Sequence, residues 1–209
     1  MGSADNVLLG ASLTGKINAN HQVYTQFLLD EFLLSEIKSG NGWWGNKFGF
    51  QLGYKSNSFI VDKLYFQTEF NLVRPFTYSH KYSTQNYGHL NASVTHPLGA
   101  NFYEIVNIVS YKKNKLRFTN KLVVNSYGVD TGAVNNGQNI FASYSNRDGD
   151  FGHDIGQGLR KTVMNETFMV HYPIFESIGL YAFANYNWRM EWQKTATIHE
   201  HYFSIGIKS

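Results

Sequence analysis

The chain has 209 residues, of which 16% are charged and 16% aromatic, with a formal net charge of +3 and no cysteine. Disulfides and thiolate metal sites are thereby excluded. No clustered basic patch of the kind a nucleic-acid binder needs accompanies the mild positive charge, and no run approaches the roughly 20 apolar residues of a membrane-crossing helix.

Taken in order, the segments alternate in the period-2 manner of strands, which places successive side chains on opposite faces. Val7, Leu9, Ala11 and Leu13 share a face opposite Gly10, Ser12 and Thr14. Val23, Thr25, Phe27 and Leu29 oppose Gln22, Gln26 and Asp30. Phe48, Phe50, Leu52 and Tyr54 oppose Lys47 and Gln51, and Leu64, Phe66, Phe70 and Leu72 oppose Gln67, Glu69 and Asn71. Stretch 102–111 is apolar on both faces apart from Glu104, Asn107 and Ser110. Leu116, Phe118, Leu122 and Val124 oppose Arg117, Thr119, Lys121 and Asn125; 162–172 is mixed. Ala182, Ala184, Tyr186 and Trp188 oppose Asn185, Asn187 and Arg189, and Phe203, Ile205 and Ile207 oppose Ser204 and Lys208.

These roughly nine segments are joined by connections that are short and long in turn. The short ones fall near 16–20, 55–59, 112–115 and 173–177, the third with Lys112, Lys113 and Lys115 reading as a turn. The long ones fall near 33–44, 75–99 and 128–160, with a smaller member at 193–198. In an up-and-down meander every second connection lies at the same end, so all the long loops share one end. Transmembrane β-barrels have this asymmetry, together with an apolar outer face, aromatic girdles and a polar interior. The expected fold is therefore all-β: one domain over 1–209, an antiparallel up-and-down transmembrane β-barrel of about nine strands. Single-chain bacterial barrels have even strand numbers, and Met1-Gly2-Ser3 opens no secretory signal. The expectation is accordingly a fragment of a larger barrel that lacks an upstream strand, with the long loops facing outward. A soluble antiparallel barrel or sandwich is the competing fold, since it too alternates.

Three loops hold candidate function. The segment Arg74–Glu104 gathers His80, His89 and His96 with Tyr78, Tyr82 and Tyr87 and several asparagines. Aromatic faces and amides suit carbohydrate, whose rings stack and whose hydroxyls need directional partners. A self-satisfied plug in the barrel mouth is the alternative. The spacing of the histidines matches no metal-ligand pattern. Trp43 and Trp44, within a glycine-rich loop, read as interfacial girdle or sugar-stacking residues. Asn146–Asp154 places oxygen ligands at alternate positions, as calcium loops do, but lacks the glycine position and terminal Glu of an EF-hand. A solvated outer loop is the simpler reading. A glycosidase would need two carboxylates a few ångströms apart. Asp30, Glu31, Glu69 and Glu104 are scattered, and no nucleophile elbow or phosphate loop is present.

Several motifs are similar to a known group: Gln26–Phe32 (QFLLDEF), Gly40–Gly49 (GNGWWGNKFG), Val73–His80 (VRPFTYSH), Asn86–His89 (NYGH), His96–Phe102 (HPLGANF) and Ile155–Gly158 (IGQG). They resemble the C-terminal part of the capsule-assembly Wzi-like outer-membrane family, and most of all its gliding-motility, RemB-like branch. The resemblance implies an outer-membrane barrel of a Gram-negative bacterium, of about eighteen strands, of which these nine would be the C-terminal half, and which attaches or organises surface polysaccharide or serves motility. It brings no catalytic residues. The resulting expectation is a non-enzymatic protein without cofactor or metal. Its partners would be outer-membrane lipid, surface polysaccharide, and motility or secretion proteins, but not nucleic acid. Trp43, Trp44, Tyr78, His80, Tyr87, His89 and His96 are the candidate glycan contacts. A structural subunit whose loops dock protein is the alternative function.

Overall fold

The structure is a computed structural model and describes residues 7–82, 85–90 and 92–209. Met1-Gly2-Ser3 and Asn91 lie outside the described residues. Nine strands form one antiparallel sheet in chain order: β1 (Leu9–Lys16), β2 (His21–Glu31), β3 (Lys47–Ser56), β4 (Leu64–Val73), β7 (Phe102–Lys113), β8 (Leu116–Val129), β9 (Leu159–Phe175), β10 (Leu180–Trp192) and β11 (Thr197–Lys208). A separate two-stranded hairpin, β5 (Gly88–His89) with β6 (Ala92–Ser93), sits inside the connection from β4 to β7. β1 and β11 are the sheet edges, each hydrogen-bonded to a single neighbour.

The alternation of short and long connections holds as far as β10; the last connection, 193–196, is no longer than those at 17–20 and 176–179. β7 and β8 are joined by Asn114 and Lys115 alone, whereas residues 130–158 separate β8 from β9. The connections also carry short elements that the alternation does not predict: the β5–β6 hairpin, 3-10 turns at Tyr144–Asn146 and Glu176–Ile178, and the helix α1 (Leu34–Ser39) between β2 and β3. It has one exposed turn and a half with no side-chain N-cap, ending in left-handed Gly40, so its sequence signal is weak.

Register fixes the two faces. Phe27 opposes Phe50, Phe50 opposes Leu72, Leu72 opposes Tyr103, and across the other half Phe118 opposes Val170 and Tyr186 opposes Phe203. This face is apolar and bare. Leu13 is 70% exposed, Phe118 42%, Phe168 46% and Phe203 71%. Fully burying an exposed side chain of this kind stabilises by about 1.5–3 kcal/mol, and these side chains hold a part of that in reserve; a contiguous exposed apolar face of this size is unusual on a protein surface. Its one carboxylate among the strand positions of β8 to β10 is Glu166, which accepts a hydrogen bond from Asn120 on the same face (3.1 Å).

The other face carries Gln51, Asn71, Glu104, Asn125, Arg189 and Glu200 in register. At its long-loop end the loops fold over it. There Val73, Tyr78, Ala100, Phe102 and Ile140 form the core cluster. This explains why stretch 102–111 is apolar on both sides: Phe102 points into the loop core while Tyr103 and Ile105 belong to the bare face. In the mixed stretch 162–172, Val163 is buried on the polar face, opposite Asn125, and Glu166 stands on the apolar face. Among the described residues, buried hydrophobic side chains number eight and buried polar ones fourteen. The apolar material of this fold thus lies mostly outside rather than in a core.

Candidate functional site

The long loops are held to the sheet by two polar hubs. The Arg74 guanidinium donates to the carbonyls of Asn46 (2.8 Å), His153 (3.0 Å) and Trp43 (3.4 Å), joining three segments. Burial lowers its pKa from the ordinary arginine value. Asn101, fully buried and left-handed at φ 62°, gives its Nδ2 to the carbonyls of Gly128, Asn136 and Gln157 and accepts from the Gly156 amide. Its neighbour Gly128 has no room for a Cβ, which would stand 1.7 Å from the Gln157 carbonyl oxygen.

A third cluster is charged. Lys47 is fully buried; its ammonium contacts Glu31 Oε2 (3.1 Å), donates to the Ser79 carbonyl (3.2 Å), and lies 4.5 Å from the Tyr144 ring centre and 5.1 Å from that of Trp44. Such cation–π contacts strengthen when desolvated. Asp30 stands beside it, accepting from the Tyr78 amide (2.9 Å) with His80 Nε2 3.6 Å away. Burial lowers the His80 pKa below the ordinary histidine value, the Asp30 carboxylate only partly opposing it. The Tyr78 phenol is pushed up to about 12, by burial first and then by Asp30 and Tyr87.

The predicted glycan residues divide among these surroundings. Trp44 packs on Tyr144 at 4.6 Å and has the Arg147 guanidinium 4.0 Å from its ring centre, with Trp43 beside it at 5.8 Å. Its ring faces are taken up within the loop, away from the apolar face of the sheet. His80 belongs to the Asp30 cluster. His89 lies on the small hairpin, exposed. Tyr78, Tyr87 and His96 instead come together around a cavity of about 320 Å³, floored by Gln26, Gln51 and Asn71 of the polar face. Tyr78 and Tyr87 are stacked at 5.8 Å, and His96 lies flat on Phe102 at 4.5 Å. Phe76 and Tyr78 hold left-handed φ of 65° and 70°, a strained arrangement of the kind that persists where surroundings over-determine it.

Below the cavity a hydrogen-bonded chain runs down the polar face. His96 Nε2 meets Glu104 Oε1 (3.1 Å); Asn71 Nδ2 donates to Glu104 Oε1 (3.3 Å) and to Glu69 Oε1 (2.8 Å); Tyr24 donates to Glu69 Oε2 (2.6 Å); and Gln67 donates to Tyr24 (2.9 Å). Two carboxylates that are far apart in sequence therefore meet at one amide nitrogen, both occupied by donors. In the loop at 146–154, Arg147 is paired with Asp150, and among the described residues no group of three or more His, Asp or Glu is placed to hold a metal.

What these arrangements share was invisible locally. Lys47, Arg74 and Asn101 are buried or half-buried polar groups satisfied by residues far along the chain, and Asp30 is held in the same way through Oδ2 alone, its buried Oδ1 accepting no hydrogen bond among the described residues. The residues themselves carried one usable signal: Lys47 and Asp30 flank strand ends at the long-loop end.

The fold and site define an all-β protein whose nine-stranded meander carries an aromatic-and-amide cavity under its long loops. Compared with known proteins, the chain matches no family model, no curated protein and no solved structure.

Proposed function

We propose that the sheet is part of the wall of an outer-membrane β-barrel and that its long-loop end engages surface polysaccharide without catalysing a reaction. The observation that carries this reading is the division of the faces: large apolar side chains stand exposed on one side, and amides, carboxylates and a cavity line the other. Lipid on the first side removes that apolar surface from water. The two unpaired sheet edges call for further strands to close the wall, because lipid does not tolerate open edges. The resemblance to the Wzi-like family, and to its RemB-like branch, supports capsule attachment or gliding motility as the setting.

Tyr87, 42% exposed, and His96 offer the cavity's accessible aromatic faces, with Gln26 and Gln51 as directional partners for hydroxyls. On a glycan array, the purified chain in detergent is expected to bind at least one polysaccharide, and Tyr87→Ala combined with His96→Ala to lose it. An array silent for the parent chain, or binding unchanged in the variant, contradicts the reading.

A second reading has its own observation. The hairpin presents Leu90 at 87% exposure, flanked in the chain by Tyr82 at 60% and Val94 at 53%. Such an apolar tip favours docking of a protein in a motility or secretion assembly. Retention of proteins but no polysaccharide in a pull-down, abolished by Leu90→Ser, would select it.

A further inference from the structure

The opposite end of the polar face has a different chemistry. Lys112 of β7 stands directly across from Arg117 of β8, and Arg117 directly across from His171 of β9. Lys208 of β11 joins them from across Tyr181, and Lys115 from the turn. These groups line one depression of about 450 Å³ together with a single carboxylate, that of Glu176. A second depression beside it, about 490 Å³, shares Lys112 and Arg117 and adds Lys63.

Like charges set directly opposite on neighbouring strands destabilise a sheet. Elsewhere on this polar face cations are paired with carboxylates, as Lys161 with Glu191 and Arg189 with Glu200, or face uncharged residues across the register, as Lys55 faces Gln22 and Gln67 and Lys121 faces Ile108 and Thr167. Here cation faces cation, and among the described residues Lys112, Lys115, Arg117 and Lys208 enter no ion pair. A solvated face would spread such cations apart, since long side chains have room to do so. Lys112 and Arg117 on adjacent strands, with Lys115 from the turn and Lys208 from the edge strand, instead concentrate positive potential in one place,. Arg117 brings the planar fork that suits carboxylate and phosphate oxygens, and Tyr181 and His171 can complete the donor set,.

We propose that this depression binds the oxyanion groups of an acidic polymer, so that the polysaccharide handled by this protein is anionic and meets the chain at the short-turn end as well as under the loops. The proposal rests on the polysaccharide reading and supplies the charge of the polymer. The cations lie on the polar face and not on the apolar one, which favours a polymer over the headgroups of surrounding lipid.

The test uses the purified chain in nonionic detergent, titrated with polygalacturonate, with polyphosphate and with neutral dextran. Both polyanions are expected to bind, more weakly as salt rises, and dextran not to bind at this end. Preference for one polyanion names the oxyanion as carboxylate or phosphate. Arg117→Gln with Lys208→Gln should lower polyanion affinity about tenfold or more, as the loss of charge-assisted contacts predicts. Lys38→Gln with Lys81→Gln removes the same charge from the loop end and should leave affinity within about twofold, since screened distant charges contribute little. Without polyanion, Arg117→Gln should melt no lower than the parent chain, because it relieves opposed like charges; this guards against misreading a misfolded variant. Equal losses in both double variants, a lower melting point of Arg117→Gln, no polyanion binding by the parent chain, or binding only to anionic vesicles would each overturn the proposal. Tyr87→Ala separates it from the loop reading: loss there with Arg117 indifferent sinks this site alone, and the converse sinks the loop cavity alone.

Discussion

At the long-loop end, Lys47 is fully buried, and Glu31, the Ser79 carbonyl and the rings of Trp44 and Tyr144 surround its ammonium. At the short-turn end, Lys112, Arg117 and Lys208 reach the same polar face with one carboxylate, Glu176, in their neighbourhood. One sheet thus carries a finished electrostatic assembly at one end and an unfinished one at the other. The difference teaches how to divide structure from function on a surface that is polar throughout. Where loops exclude water, a charge without a partner costs several kcal/mol, so the partners are part of the chain. Where the face is open, cations can stay uncompensated until an anion arrives.

The comparison breaks most completely if the loop end is opened. Gly128→Ala puts a Cβ 1.7 Å from the Gln157 carbonyl oxygen and 2.6 Å from Asn101 Nδ2. The loops at 74–101 and 130–158 should then separate from the sheet, at a cost on the order of 4 kcal/mol or more. Amide exchange at Gly156, whose N–H donates to Asn101, should lose its protection, while strands β10 and β11 keep theirs.

Lys47→Met tests the finished assembly itself. It leaves Asp30, whose side chain is 1% exposed, with the neutral His80 in place of a cation beside it. Glu31, half exposed, can turn to water. The expected destabilisation is about 3 kcal/mol, read from denaturant unfolding, and Lys115→Met at the other end should change stability by less than about 0.5 kcal/mol. Equal effects at both ends would erase the distinction.

The smallest effect is a pH dependence. The folded loop holds His80 neutral, its pKa depressed below 6.5 by burial, with Asp30, Glu31 and Lys47 as the charges that act on it. An opened loop takes up the proton first. The stability this contributes is therefore present above about pH 6.5 and is lost as pH falls toward the folded pKa. Exchange at the Tyr78 amide, which donates to Asp30, should quicken on acidification beyond its intrinsic rate, and His80→Gln should flatten that response.

Much of this architecture is legible in the residues. Alternation along β2, β3, β4, β8, β10 and β11 assigns faces that the register reproduces, and the long connections fall at one end. Prediction weakens wherever the loops cover the sheet, because burial there depends on contacts such as Arg74 with His153, 79 positions apart. Phe102 looks out of phase for that reason. The Lys112–Lys115 group reads as an ordinary turn, since Arg117, His171 and Lys208 join it only through strand register. Of the seven candidate glycan residues, Tyr78, Tyr87 and His96 meet at one cavity. Trp44 and His80 could be told from them only by knowing what Lys47 and Asp30 do in three dimensions.

The central claim is that the apolar face meets lipid and the polar face does not. The chain has no cysteine, so single nitroxide labels can be placed without competition. Phe168→Cys lies on the apolar face and its neighbour Thr167→Cys on the polar one, where Thr167 accepts from Asn187 (2.7 Å). In reconstituted bilayers, the label at 168 should collide with dissolved oxygen and be shielded from a water-soluble nickel chelate, with the order reversed at 167. Equal access of the chelate to both labels would contradict the account.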